Sequence, residues 1–422
     1  MTFTVNRRHK KLFFCFTGFA LFSILFLGSW TIYGPLNFRN FMAIVVFLIS
    51  LLYPNYYSPK NKAISIYYLW LGVYFIINLI SGNISNSSFI QGLLTYHLLC
   101  LFTIFIIPRL VADYYSLMTV YRWISLFYVA NALFTILQFH NVPQAWAIST
   151  IISPMSEIGN ELFDDLSRIG DGFLGRSITP GLKGFVVTNG YFLTFLLPFV
   201  TKGFWETDRR KLIVSSLVLC IGFYAIYCTQ QRMAFYLAVA YVAYIIITKT
   251  KGRTKIVILI SGLLFLCLNT GNNFDPEKMG RLLSVEDNIR SHTWENLELF
   301  MSDPSNVLLG MHEGGAGSKS ELVLLTMCHN AFLDSIRRGG IISLIVMALL
   351  YINMFYQCGR ILIKSRFHSS MTSSLALSCC IFLLYSFTHS TGLQSGSVEY
   401  WLLYMLMLSS IHVEKNVQFK SY

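Results

Sequence analysis

Long apolar runs alternate with short polar connections along almost the whole chain. The hydrocarbon core of a bilayer is about 30 Å thick, so a helix needs about 20 mainly apolar residues to cross it. Runs near that length lie at 12–30, 39–53, 63–81, 89–108, 120–139, 184–201, 211–229, 232–248, 255–270, 339–358, 370–389 and 398–412. The pattern predicts an all-α polytopic integral membrane protein with about twelve transmembrane helices.

The composition agrees with a membrane protein. Hydrophobic residues make up 55% of the 422 positions and charged residues only 12%, which excludes a soluble surface. The nine cysteines lie mostly inside apolar runs, with no CxxC pair and no zinc-type spacing. We interpret them as small hydrophobic residues and expect no metal site.

The net charge of +12 is distributed over short loops and not gathered on one basic face. This distribution indicates orientation in a bilayer and gives no support to nucleic-acid binding. With the N-terminus inside, most Lys and Arg residues fall on the cytoplasmic side, while the opposite short loops at 82–88 and 390–397 contain none. The positive-inside rule therefore predicts that both termini are cytoplasmic.

Two polar segments, 140–183 and 271–338, are much longer than the other connections. The predicted topology makes both of them extracytoplasmic loops. In the second loop, the stretch from Trp294 to Phe300 has the apolar spacing of a helix, and Pro304 stops it. We expect residues 1–422 to form a single membrane domain whose chemistry lies in these loops, above all in the second.

Two motif fragments in the second loop do not support other enzyme classes. His312-Glu313 lacks the second His of an HExxH metalloprotease and is followed by glycines that disfavour its helix. Lys319 does not follow a Gly, as the lysine of a phosphate-binding P-loop does. Neither a metalloprotease nor a nucleotide hydrolase is predicted.

One histidine and three arginines are the candidate functional residues of the outer side. Arg176 lies in the first long loop, Arg232 at the outer end of a span, Arg290 in the second loop, and His329 shortly before the next span. Arginine binds phosphate oxygens through two parallel hydrogen bonds, and histidine can accept a proton from a sugar hydroxyl. The set is suited to glycosyl transfer from a lipid diphosphate, whose charge the arginines would stabilise.

Several of these residues, together with Asn330 and Trp294, also have a structural interpretation. A lone histidine in a loop, such as His329, is more often a surface residue than a catalyst. Arg232 can place its charge among lipid headgroups, and Arg290 can be a solvated helix charge. Asn330 can be the N-cap of the following helix. Trp294 can belong to the interfacial aromatic belt as readily as it can stack against a sugar.

The spacing around His329 resembles that of a known family. His329-Asn330 is followed by nine residues, then by Gly340 and, three positions later, by Ser343. This spacing is similar to the His-Asn-x9-Gly-x-x-Gly signature of the O-antigen ligase and Wzy-type polysaccharide polymerase superfamily, with Ser in place of the last Gly. Upstream positions also follow the order of that family, namely Arg290, Trp294, Pro304 and Leu309-Gly310. Gln231-Arg232 resembles its Ser-Arg motif. Arg176, Asn189 and Pro198 resemble the Arg, Asn and Pro that come earlier in the family pattern.

The resemblance covers roughly 170–345. It implies a GT-C-like glycosyltransferase of the bacterial cytoplasmic membrane that uses neither metal nor cofactor. The enzyme would polymerise polyprenyl-diphosphate-linked oligosaccharides of an O-antigen, capsule or exopolysaccharide, with a flippase and a chain-length regulator as partners. In this interpretation His329 and Arg290 are catalytic, and the substrate is bound by Arg232, Arg176, Asn330 and Trp294.

Two alternatives stay open. A ligase of the same superfamily would transfer the finished glycan to another acceptor, and the motifs do not separate it from a polymerase. A flippase or other secondary transporter would also have about twelve spans, but it would carry ionisable residues near the bilayer midplane and show two similar halves. In this sequence the ionisable residues other than those of the basic cytoplasmic segments crowd into the two long outer loops, and no halves match, which favours the enzyme.

Overall fold

The computed structural model describes residues 7–27, 31–33, 36–51, 61–80, 93, 97–111, 113–152, 179, 181–183, 186–249, 304–310, 330–364, 368–387 and 398–418. Their helices are α1 (Arg7–Phe26), α2 (Phe38–Leu51), α3 (Lys62–Ile80), α4 (Leu98–Leu110), α5 (Tyr114–Phe139), α6 (Pro143–Ile152), α7 (Val186–Val200), α8 (Arg209–Cys228), α9 (Arg232–Lys249), α10 (Pro304–Leu309), α11 (Ala331–Ile363), α12 (Ser370–Ser386) and α13 (Val398–Gln418). Two short strands, β1 (Thr31–Tyr33) and β2 (Leu36–Asn37), and a 3-10 helix at Lys202–Trp205 complete the described elements.

The helices are those of an all-α membrane protein, as predicted. Every predicted span except 255–270 overlaps a described helix, and 255–270 lies outside the described residues. Among the described helices, four are both long and apolar enough to cross a membrane: Lys62–Ile80, Tyr114–Phe139, Arg209–Cys228 and Gly339–Ile363. The other apolar helices are shorter, so the number of about twelve crossings stays a prediction.

Large apolar side chains are exposed along the outer faces of the long helices. Leu69 on α3, Leu217 on α8 and Ile352 on α11 each expose more than half of their surface. Water does not favour such continuous apolar faces, whereas lipid chains cover them without cost. The exposed apolar faces therefore support a membrane environment.

The chain divides into two compact units. The first consists of Met1–Ile32, Asn37–Met42 and Tyr115–Ser284, and the second of Tyr33–Leu36, Ala43–Tyr114 and Val285–Tyr422. Helix α1 and helices α5 to α9 thus belong to the first unit, apart from Tyr114. Helices α3, α4 and α10 to α13 belong to the second.

Helix α7 is the centre of the first unit and packs against α8 and α9. Its Phe192, Phe195 and Phe199 are almost completely buried. Helix α5 is fastened to α1, because the indole N–H of Trp123 donates to the Phe14 carbonyl at 2.9 Å. The core is therefore a bundle around an aromatic helix.

Helix α11 is the corresponding centre of the second unit and packs against α3, α10 and α12. At one end of this unit the Asn61 amide donates to Gln357 Oε1 at 2.8 Å, and the Tyr404 hydroxyl donates to the same oxygen at 2.7 Å. These contacts join α3, α11 and α13 through polar atoms. Polar atoms between apolar helices are costly unless they are hydrogen-bonded, so these contacts stabilise the packing.

An ion-pair cluster follows α7 in a connection that the predicted topology makes cytoplasmic. Glu206 accepts hydrogen bonds from the ammonium groups of Lys202 and Lys211, and the Lys202 ammonium lies 4.7 Å from the centre of the Tyr121 ring. Partial burial raises the pKa of the Glu206 carboxyl, but the two lysines outweigh it and hold that pKa below its ordinary value. The cluster ties the end of α7 to the start of α8.

A lowered pKa makes this contribution to stability dependent on pH. The unfolded glutamate titrates near pH 4.3, so the stabilisation is fully present above about pH 5 and is lost as the pH falls through the lower folded value. We expect Glu206→Gln to reduce the free energy of unfolding by about 1 kcal/mol or more near neutral pH, because it leaves the buried Lys202 ammonium without its carboxylate, whereas the pair with the exposed Lys211 is screened by solvent. Thermal unfolding in detergent at several pH values checks this. A difference from wild type that persists undiminished below pH 4 would contradict it.

Candidate functional site

Helix α11 is broken near its start. Gly339 and Gly340 have non-helical dihedral angles, and the φ of Gly340 is +65°. A Cβ atom added at Gly340 would lie 2.0 Å from the Leu308 carbonyl oxygen at the end of α10. Only glycine allows both this backbone conformation and this approach. The break therefore brings Pro304–Leu309 directly against Gly340, two segments that the resemblance had placed in one motif order.

Ser343 stands three residues after the break, where the family signature has a second glycine. Its hydroxyl accepts a hydrogen bond from the indole N–H of Trp70 at 2.9 Å and lies 3.0 Å from the Ser335 hydroxyl. All three side chains are buried. The serine thus stays small, and its polar atom is satisfied by the part of α11 before the break and by α3.

An aromatic cluster supports Trp70 on the other side of that contact. The rings of Trp70 and Tyr74 stack with centroids 5.3 Å apart, and the His97 ring lies 5.3 Å from Trp70. His97 Nδ1 is 3.3 Å from the Tyr67 hydroxyl. The buried rings fix the face of α3 on which the helix break rests.

Asn330 is the N-cap of α11. Its side-chain oxygen accepts from the backbone N–H of Phe332 at 2.8 Å and of Leu333 at 3.3 Å, and its amide donates to the Phe387 carbonyl at 2.8 Å. The N-cap interpretation is confirmed, and the amide also fastens the start of α11 to the end of α12. A role of Asn330 in substrate binding stays a prediction.

Two substitutions separate the functions of the Asn330 side chain. Asn330→Asp keeps the capping oxygen but loses the donor to Phe387, whereas Asn330→Ala loses both. We expect Ala to lower the free energy of unfolding by about 1–2 kcal/mol and Asp to lower it by less. Thermal unfolding of the detergent-solubilised protein checks the order. Two variants as stable as wild type would show that this cap is dispensable.

Arg232 is the first residue of α9 and is half-buried. A tight turn precedes it: α8 ends at Cys228, and Gln230 has a φ of +54° while its N–H donates to the Tyr227 carbonyl at 3.0 Å. The turn reverses the chain between two neighbouring helices. Arg232 therefore stands at the end of a helix, as its position in the sequence predicted.

The ends of α1, α5, α7, α8 and α9 meet at one end of the first unit, the end that carries Arg232. The Lys183 ammonium, before α7, donates to the Leu25 carbonyl of α1 at 2.6 Å. Gln138 of α5 accepts from the backbone N–H of Gly181 at 2.8 Å, and the Thr179 hydroxyl donates to the Cys228 carbonyl of α8 at 2.8 Å. These are the helix ends that the predicted alternation places on the outer side, so the packing of this unit supports the alternation.

Lys183 is a charged residue of this end that the sequence interpretation did not single out. Its side chain is 8% exposed, and its ammonium lies 4.9 Å from the centre of the Phe192 ring and 5.6 Å from that of Phe26. Ring faces and a carbonyl stabilise a cation that has left water. The Pro-Gly pair shortly before it predicts a turn but does not predict that the Lys183 side chain is buried.

The remaining candidates lie outside the described residues: Arg176, Arg290, Trp294 and His329. Asn330 directly follows His329 in the sequence, so the described part of the motif begins one residue after the candidate base. Arg232 belongs to the first unit and Asn330 to the second. Within the second unit the structure packs the α10 segment against Gly340, close to Ser343, while Asn330 caps the start of the same helix.

Comparison of the chain with models of known protein families finds no match, and no curated protein is significantly similar to it. The functional interpretation therefore depends on the residues of this chain and on their arrangement.

Proposed function

We propose that the protein polymerises polyprenyl-diphosphate-linked oligosaccharide repeat units of a bacterial surface polysaccharide at the outer face of the cytoplasmic membrane. The observation that carries this proposal is the ordered set of residues from Arg290 to Ser343. Two segments of that set, Pro304–Leu309 and the start of α11, pack together at a helix break that requires glycine. A motif order that coincides with a specific packing arrangement supports a shared site more strongly than the order alone.

The proposed reaction is a glycosyl transfer with the growing chain as donor. A hydroxyl of the incoming lipid-linked unit loses its proton to His329, and its oxygen attacks the anomeric carbon of the donor. The bond between that carbon and the diphosphate oxygen breaks, and polyprenyl diphosphate leaves with the electron pair. The product is a chain longer by one repeat unit that stays on the lipid of the acceptor.

Arginines would stabilise the diphosphate charge that develops in this step. Arg290 acts on the leaving diphosphate, and Arg232 and Arg176 hold the lipid diphosphates in place. A preorganised donor aimed at developing charge contributes about 3–4 kcal/mol to lowering a barrier. Trp294 supplies a ring for stacking against a sugar, and Asn330 holds the helix that follows His329.

The fixed break in α11 suits such a site, because reacting groups must be held within fractions of an ångström. Gly340, Ser343 and Trp70 connect the start of α11 to α3 and α10 by direct contacts. A flippase would deliver the repeat units to the outer face, and a chain-length regulator would set how many are joined. Both remain proposed partners.

The surface polysaccharide of living cells tests the proposal. Cells that lack the protein are complemented with wild type or with His329→Ala at matched membrane levels, and the glycan is separated by size. We expect a series of chain lengths with wild type and a single repeat unit on the final acceptor in the other two strains. Long chains that accumulate on the lipid carrier in the deletion strain would indicate a ligase. Absence of any repeat unit outside would indicate a flippase.

A further inference from the structure

A short non-helical segment enters the first unit between its helices. This segment, the Gly181 turn, comprises Thr179 and Gly181–Lys183 in the described part of the chain. The Gly181 N–H donates to Gln138 Oε1, and its carbonyl accepts from Gln138 and Ser149. The Leu182 N–H donates to Asn131 Oδ1 at 2.7 Å. Side chains of α5 and α6 thus replace the water that such backbone groups would otherwise need.

Asn189 of α7 is at the centre of this arrangement. Its side-chain oxygen accepts from the Asn131 amide at 2.7 Å, and its own amide donates to Thr135 Oγ1 at 2.9 Å and to the Thr179 carbonyl at 3.0 Å. Asn131, Thr135, Thr179 and Asn189 are all completely buried. A buried polar network with its atoms satisfied favours one geometry, because any displacement leaves a polar group unpaired.

The Gly181 turn is joined to the turn that precedes Arg232. The Thr179 hydroxyl donates to the carbonyl of Cys228, the last residue of α8. Next to Asn189, a Cβ atom added at Gly190 would lie 2.7 Å from Gln231 Cγ and 3.3 Å from Thr229 Oγ1. The residues from Cys228 to Gln231 are therefore held by a hydrogen bond at one end and by close packing at the other.

We propose that Thr179 and Asn189 are positioning residues that fix the turn from Cys228 to Gln231 and thereby set where Arg232 stands. This inference rests on the proposed function only for the role of Arg232, which is to hold a lipid diphosphate. The position of Arg232 is a separate matter and is measured without any substrate. A loose turn would spread the guanidinium over several positions and weaken its contribution to binding.

Chemical modification of a cysteine at position 232 tests the positioning directly. The full-length Arg232→Cys chain in membrane vesicles is treated with a small charged thiol reagent, and labelling of the chain without that cysteine is subtracted. Adding Thr179→Val removes the hydroxyl but keeps the shape of the side chain. We expect the labelling rate to change by about three- to tenfold, because one buried hydrogen bond is lost. An unchanged rate overturns the proposal.

Two further variants serve as controls in the same background. Thr179→Ser keeps the hydroxyl and is expected to label like its parent. Thr201→Val makes the same change at the opposite end of α7, where the buried Thr201 hydroxyl lies 2.6 Å from the Tyr241 hydroxyl. We expect it to alter labelling by less than about twofold, since its hydrogen bond is remote from the turn. An equal change with Thr201→Val would show a general loosening of the unit and overturn the proposal.

Enzyme kinetics separate this inference from the proposed function. If Thr179 acts through Arg232, Thr179→Val raises KM for the lipid-linked substrate in the wild-type chain and adds no further loss to Arg232→Ala. Losses that multiply in the double variant would contradict action through the arginine. If Thr179→Val alters the labelling rate but Arg232→Ala keeps full activity, Thr179 does position Arg232, and the role of Arg232 in holding a diphosphate is contradicted.

Discussion

Replacing His329 with alanine is expected to slow polymerisation by about 10²–10⁴-fold, the usual effect of removing a general base. The acceptor hydroxyl would then have no group to take its proton in the transition state. The measurement is the initial rate of chain extension by the purified protein at saturating substrate. Binding of the lipid-linked unit should change much less than the rate, because the base acts mainly in the transition state.

His312 provides the matched control, since it lies in the same long loop but outside the motif order. We expect His312→Ala to retain nearly the full rate. Full activity of His329→Ala, or an equal loss in both variants, would contradict the assignment of His329 as the base. Comparable amounts of both proteins in the membrane are required for the comparison.

Replacing Gly340 with alanine is expected to be the most destabilising single change in the second unit. The added methyl group would overlap the Leu308 carbonyl oxygen, and the φ of +65° is unfavourable for any residue with a side chain. We expect a loss of about 3 kcal/mol or more in the free energy of unfolding. Where the protein still folds, α10 must move away from α11, and the polymerisation rate should fall with it.

Gly359 lies on the same helix, and a Cβ atom added there would meet nothing within 4 Å. Gly359→Ala should therefore be neutral or should stabilise the protein by up to about 1 kcal/mol through helix propensity. Thermal unfolding of both variants in the same detergent makes the comparison. A Gly340→Ala protein as stable as Gly359→Ala would show that the helix break does not require glycine.

The apolar pattern predicted most helices because apolar length is a local property of the sequence. It failed where a helix extends beyond an apolar run and where a helix is too short to span a bilayer. The run predicted at 339–358 begins at the break itself, and the stretch of mixed polarity from Ala331 to Arg338 before it is also helical. Helix α6 (Pro143–Ile152) lies within the first predicted loop, although a proline at its first position is a typical start signal.

Contacts between distant segments could not be predicted from local patterns. Trp70 and Ser343 are joined by a hydrogen bond across 273 positions of the sequence, and Thr179 and Cys228 across 49. Neither pair has a spacing in the sequence that predicts its hydrogen bond. The capping role of Asn330 could be predicted, because a helix cap depends on the residues next to it in the sequence. The need for glycine at position 340 could not be predicted, because it comes from the carbonyl of Leu308 in another helix.

Within the candidate site, the sequence supplied the residues and the structure supplied part of the framework. Residue chemistry and order indicated His329 and the arginines, since a diphosphate and a sugar hydroxyl require such groups. The structure adds Trp70 and Ser335, whose contacts with Ser343 support the helix break. It also gives a physical meaning to Asn189, which the motif order included without a stated role.

Reconstitution tests the central claim most directly. The purified protein is placed in liposomes with a synthetic polyprenyl-diphosphate-linked repeat unit as the sole substrate, without ATP or any ion gradient. We predict lipid-linked glycans of increasing length and one polyprenyl diphosphate released for every linkage formed. Substrate that crosses the bilayer without becoming longer, or that stays unchanged while the same liposomes transfer a finished glycan to another acceptor, would contradict polymerisation.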